Sequence, residues 1–147
     1  MSKASRQKQR IWLILAFAIL TYFASDYSPE KATSVPEVQS TLEQAIQQQR
    51  SNVQLEVSGT VYKLLADDLE GHRHQKFLIK TANEHTLLIV HNIDLAPRLN
   101  SLQEGDSLSV FGQYEWNKKG GLIHWTHHDP AGQHIAGWIK HQGKTYQ

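Results

Sequence analysis

From Val53 onward the apolar residues stop recurring at a helical period and begin to alternate, and that switch limits what this chain can build. Val53, Leu55, Val57, Gly59 and Val61 interleave with polar residues, the period-two pattern of a strand with one face buried and one in water. Further strands are predicted around Gln75 to Lys80, near His85 to His91, over Ser107 to Trp116 and over Leu122 to Thr126. Turn residues separate them at Ala82-Asn83, at Gly105-Asp106 and at Asn117-Lys-Lys-Gly-Gly121, the last a strong hairpin turn. Gly59, in mid-strand, predicts a bend or bulge. Ile93 to Glu104 breaks the alternation and leaves room for a helical turn.

Three strands, a break and two more strands is the order of the OB-fold, a small five-stranded Greek-key barrel. The fold class read from the sequence is therefore mainly β, an OB-fold-like barrel. An amphipathic helix is expected before it, over Pro36 to Arg50. Val38, Leu42, Ala45 and Ile46 recur there at helical spacing, and Ser34-Val-Pro-Glu37 has the form of a capping box with proline in the first turn.

The N-terminus has a different logic. Lys3, Arg6, Lys8 and Arg10 precede an apolar run of 13 residues, Ile11 to Phe23, with Ala24 behind it. A basic stretch followed by a hydrophobic one is the layout of an export signal. The run is short against the roughly 20 residues of a bilayer span, but Ala24 extends it and Arg10 can snorkel. Cleavage after Ala24 would place Tyr22 where a small residue is required, which favours an uncleaved anchor; the alternative is a protein released to the periplasm by cleavage. Basic flanks stay cytoplasmic, so the remaining chain is expected outside a bacterial inner membrane, in the periplasm. The organisation is then an anchor over 1–24, a linker over 25–34 and one domain over 35–147.

With those four basic residues set aside, 11 basic residues face 14 acidic ones, and a negative domain argues against nucleic acid as the partner. There is no cysteine, so neither a disulfide nor a thiolate metal site is available. Histidine is abundant instead: nine residues, all after position 71, the densest group lying in Ile123-His-Trp-Thr-His-His-Asp-Pro130. Imidazole is the commonest ligand of zinc and similar divalent transition metals. The candidate ligands are His91, Asp94, His124, His127, His128 and Asp129. Strand alternation aims His124 and His128 to one face and His127 to the other, an objection that weakens if the strand ends before His127. Arg98, Trp116, Trp125 and His134 are candidate ligand-binding residues. His72 and His74, in a polar loop, read as solvated.

The strings His91-Asn-Ile-Asp-Leu-Ala-Pro-Arg98, Gly112-Gln-Tyr-Glu-Trp-Asn117, Gly120-Gly-Leu-Ile-His-Trp-Thr-His-His-Asp-Pro130 and Gly137-Trp-Ile-Lys-His-Gln-Gly143 resemble an uncharacterised bacterial family known as domain of unknown function 3465. The resemblance spans Val53 to Gln147 and implies a short envelope-directed protein, with no activity attached.

Two functional expectations follow. One is a binding module that holds a small molecule or an envelope protein, with aromatic and histidine side chains as contacts. The other is a metal-dependent hydrolase, phosphodiesterase-like, in which histidines with Asp94 or Asp129 hold a cation that activates water and Arg98 steadies an anionic group.

Overall fold

The computed structural model describes residues 35–147; the anchor, the linker and the Ser34 cap lie outside the described residues. Helix α1 runs Val35–Gln47, ending three residues before the expected Arg50. Its end is a Schellman turn: Gln49 takes a left-handed φ of 53°, Gln49 N–H bonds Ile46 O at 3.1 Å and Arg50 N–H bonds Ala45 O at 2.8 Å. Among the described residues no helix is long and apolar enough to cross a membrane.

Seven strands follow: β1 (Val53–Leu64), β2 (His74–Lys80), β3 (Thr86–Asn92), β4 (Ser107–Glu115), β5 (Leu122–His124), β6 (Trp138–His141) and β7 (Lys144–Tyr146). The first five close a barrel in the order β1-β2-β3-β5-β4-β1, with β3 and β5 parallel and the other pairs antiparallel. The expected mainly β, OB-like barrel with a helix before it is the fold.

Closure depends on β1 serving two partners. Its first half pairs with β4, from Val53↔Tyr114 to Thr60↔Ser107, and its second half pairs with β2, from Thr60↔Lys80 to Leu64↔Phe77. The handover lies at Gly59, where a Cβ would come within 2.7 Å of Lys80 O, and a bulge between Val61 and Lys63 bends the strand around. The side chains that alternate inward form a dry core: Phe77, Ile79, Leu87, Ile89, Val110, Tyr114, Ile123 and Ile139 are fully buried, each stabilising the fold by about 1.5–3 kcal/mol through burial. Leu42 and Ala45 of α1 join the same core, and Glu43 accepts a hydrogen bond from Asn83 at the β2–β3 turn.

The break between β3 and β4 holds one helical-type turn, closed by Ala96 N–H to Asn92 O at 3.2 Å, with no helix following it. Residues 93–106 run as turns that send Leu99 and Leu102 into the core, pinned by Gln75, whose amide donates to Leu99 O at 3.1 Å and accepts from Leu99 N–H at 2.9 Å. A departure lies beyond β5, which ends at His124 rather than Thr126. The chain leaves β5, loops out, and returns as β6 to the same edge of β4. β5 pairs with Gln113–Glu115 of β4 and β6 with Leu108–Phe111. β7 then turns back on β6 through Gln142-Gly143, both with positive φ, the conformation of a tight primed hairpin.

Candidate functional site

The excursion between β5 and β6, residues 125–137, holds three of the nine histidines, His127, His128 and His134, directly after His124. Its neck is tight because Gly137 N–H bonds His127 O at 2.8 Å, and a Cβ on Gly137 would lie 2.1 Å from Trp125 O. Strand alternation ends at Trp125, whose φ of 51° is a strained left-handed value for a bulky residue. That turn lets neighbouring rings stack: Trp125 lies on His124 with centroids 4.7 Å apart and on His134 at 4.6 Å. His127 meets His134 edge to face at 5.0 Å.

Hydrogen bonds set the tautomers, since carbonyls only accept. His127 Nδ1–H donates to His128 O at 2.7 Å and His134 Nδ1–H to Ile135 O at 2.9 Å, so both Nε2 atoms carry lone pairs. Asp129 organises the turn by accepting N–H of His134 at 2.6 Å and of Ala131 at 3.0 Å; these bonds, the His134 one foremost, hold its carboxyl below the usual carboxylate range. Asp129 Oδ1 lies 3.9 Å from His134 Nε2. His124 Nε2 is buried without a hydrogen bond, 3.6 Å from Glu115 Oε1. Burial pushes the imidazoles of His124 and His127 toward the neutral form. His128 is exposed.

The other candidates stand apart. His91 is fully buried: Nε2–H donates to Pro97 O at 3.2 Å, so Nδ1 accepts from Thr126 Oγ1 at 2.8 Å. Burial lowers its pKa to about 4, and with both nitrogens bonded it has no lone pair to offer. Asp94 accepts the backbone N–H of Arg73 at 2.8 Å and its Nε–H at 2.6 Å, bonds that hold its carboxyl below the usual range. Arg98 grips Asp67 through Nε at 2.8 Å and Nη2 at 3.3 Å, strapping two loops together. Trp116 packs against the core. Among the described residues, no group of three or more His, Asp or Glu is placed to hold a metal ion.

A large open concave surface among the described residues lies elsewhere, on the outer face of β1 and β4. It is a groove of about 900 Å³. Its floor follows from register. Outward residues line up across the strands as Lys80↔Thr60↔Ser107 and, one row on, Ser58↔Ser109↔Lys140. Four hydroxyl side chains thus form a square floor with a lysine at each end. Ser58 and Ser109 share a 2.7 Å hydrogen bond. Each lysine covers an aromatic ring, Lys80 over Tyr62 at 5.0 Å and Lys140 over Trp138 at 4.0 Å, while Trp138 stacks on Phe111 at 5.8 Å. Sequence reasoning passed over these residues. The one local signal was hydroxyls on the polar phase of two alternating stretches, Ser58-Gly-Thr60 and Ser107-Leu-Ser109.

Residues 11–147 match the family described as "Protein of unknown function (DUF3465)". The chain belongs to this family. No match is found among curated proteins.

Proposed function

We propose that this protein is a binding module of the bacterial envelope, held at the inner membrane by residues 11–24 with its barrel in the periplasm, and that the module takes its ligand in the groove over β1, β4 and β6. The observation that carries this reading is the open hydroxyl floor with a lysine at either end. Small hydroxyl side chains packed side by side on the outside of a closed barrel contribute little to the core, yet beyond the Ser58–Ser109 bond they keep capacity to donate and accept. The histidine loop bears on the groove through β6: by closing its own neck on Gly137 it fixes where β6 begins, and β6 carries Trp138 and Lys140.

The test is a thermal-shift screen of the full chain, in non-ionic detergent, against soluble saccharides, peptides and nucleotides. A stabilising compound whose effect vanishes in Ser58→Trp and Ser109→Trp supports the reading; a compound whose effect survives both overturns the site. Fractionation tests the address. The intact chain is expected in the inner-membrane fraction, with residues beyond 34 open to protease added to spheroplasts; recovery in the cytosol overturns it.

The lone pairs on His127 Nε2 and His134 Nε2 favour a second reading, the metal-dependent hydrolase. It needs a third donor, and Asp129, 3.9 Å from His134 Nε2, already holds the turn. Stoichiometric zinc in the purified full chain, lost in both His127→Ala and His134→Ala, would establish the ion that this reading needs.

A further inference from the structure

We infer that the groove takes a short oligosaccharide bearing a carboxylate, with the acidic group seated at Lys140. The inference rests on the groove as the binding site and specifies what enters it.

The floor is amphoteric. Serine and threonine hydroxyls each donate one hydrogen bond and accept others, and sugar hydroxyls do the same, so the Ser58, Thr60, Ser107 and Ser109 floor matches a polyol in both directions. A bare phosphate chain only accepts, and would leave the acceptor capacity of that floor unused. A peptide strand is disfavoured for a different reason: the floor lies on the outward side chains of paired strands, and the backbone groups of β1 and β4 already bond each other along it, leaving no open ladder for a strand to join.

The two ends differ in charge. Lys80 is already bound to Glu84 at 2.8 Å, and Glu104, engaged with Leu64 N–H at 3.1 Å, also lines that part of the groove. At the opposite wall Lys140 lies over Trp138 and has no carboxylate partner among the described residues. The uncompensated positive charge is therefore at one end only, which orients a ligand with a carboxylate there and hydroxyls along the rest. Lys80 and Lys140 are separated by three strand spacings and one row, roughly 16 Å along the surface, a span suited to a few sugar rings. Tyr62, an exposed aromatic residue, adds apolar surface to the Lys80 end of the lining.

The experiment uses the full chain in non-ionic detergent, titrated by calorimetry and by amide chemical-shift mapping with 3′-sialyllactose, a trisaccharide with one terminal carboxylate, with maltotriose as the neutral counterpart and with tripolyphosphate as the polyanion. Sialyllactose is expected to bind, to shift amides of Ser58, Thr60, Ser109 and Lys140, and to bind about tenfold more weakly to Lys140→Ala, the loss expected for one charge-assisted hydrogen bond. Lys140→Arg is expected to retain binding. Equal or tighter binding of maltotriose or tripolyphosphate at these same amides overturns the ligand class while leaving the groove as the site. Shifts confined to other residues, or no shift with any of the three probes, overturn the inference; Ser58→Trp then decides the groove itself through the thermal-shift screen above.

Discussion

The loop over residues 125–137 and the groove over β1 and β4 are both polar, and they direct their polar atoms in opposite ways. In the loop, Asp129 caps backbone N–H groups, His127 and His134 donate to carbonyls one residue away, and Trp125 lies against two imidazoles. The Nδ1–H groups of His127 and His134 and both oxygens of Asp129 thus face other parts of the same loop. In the groove, the hydroxyls of Thr60 and Ser107 stand on exposed residues, and the Lys140 ammonium rests over a ring rather than on a carboxylate. The difference teaches that density of ligating residue types is a poor guide to an open site: a polar cluster that satisfies itself is scaffold, and a sparser one that faces water is available to a ligand.

If that contrast holds, substitutions in the first region act on stability and substitutions in the second on binding. The largest effect is expected for His91→Ala, which empties a buried site and strands Thr126 Oγ1 and Pro97 O behind the loop. A loss of about 4 kcal/mol is expected from the cavity and the two orphaned partners together, read as a lower urea midpoint. A loss below about 1 kcal/mol would mean that the loop does not lean on His91.

Next comes pH. The His91 imidazole has a pKa of about 4 in the folded protein against an ordinary 6.5, so the unfolded chain binds its proton more readily. The stabilisation attached to the neutral ring is complete above pH 6.5 and is lost as pH falls toward 4. That amounts to about 3 kcal/mol at 1.36 kcal/mol per unit. His124 and His127, also pushed toward the neutral form by burial, add loss in the same direction. Urea melts at pH 7 and pH 4.5 measure it, and His91→Leu should flatten the dependence; an unchanged slope in that variant would assign the effect to other groups.

A smaller effect is expected for Arg98→Ala. Its bidentate grip on Asp67 is half exposed, and surface pairs contribute at most about 1 kcal/mol. Unchanged metal content and ligand binding in this variant would sharpen the view that Arg98 is a strap. The smallest expected change in stability is for Ser109→Ala and Thr60→Ala, each within about 0.5 kcal/mol. A loss above 1 kcal/mol from either would break the comparison, because the floor would then be structural.

How much of this was legible can be followed residue by residue. Leu55, Val57 and Val61 face inward as their alternation required, and the inward phase of β2, β3 and β4 is the buried one. The β6–β7 hairpin was missed: Trp138 to His141 is only four residues, too few for alternation to register, although Gln142-Gly143 was a usable turn signal. The histidines were visible as a group but their partners were not. His91 bonds Pro97 and Thr126, the latter 35 positions away, and His141 donates to Asp106 at 2.9 Å across a similar separation.

What the sequence by itself determined is the kind and order of the elements, because the period of apolar residues is a local property and each strand carries its own inside and outside. What only the tertiary structure decided is which strands became neighbours and in what register. Lys80, Thr60 and Ser107 form one row, and Ser58, Ser109 and Lys140 the next, because β1 hands over from β4 to β2 at Gly59 and β6 returns to the edge that β5 had left. A shift of one residue in any of those pairings would turn that strand's hydroxyls into the core, so the groove exists through long-range pairing energy that no window of the sequence contains.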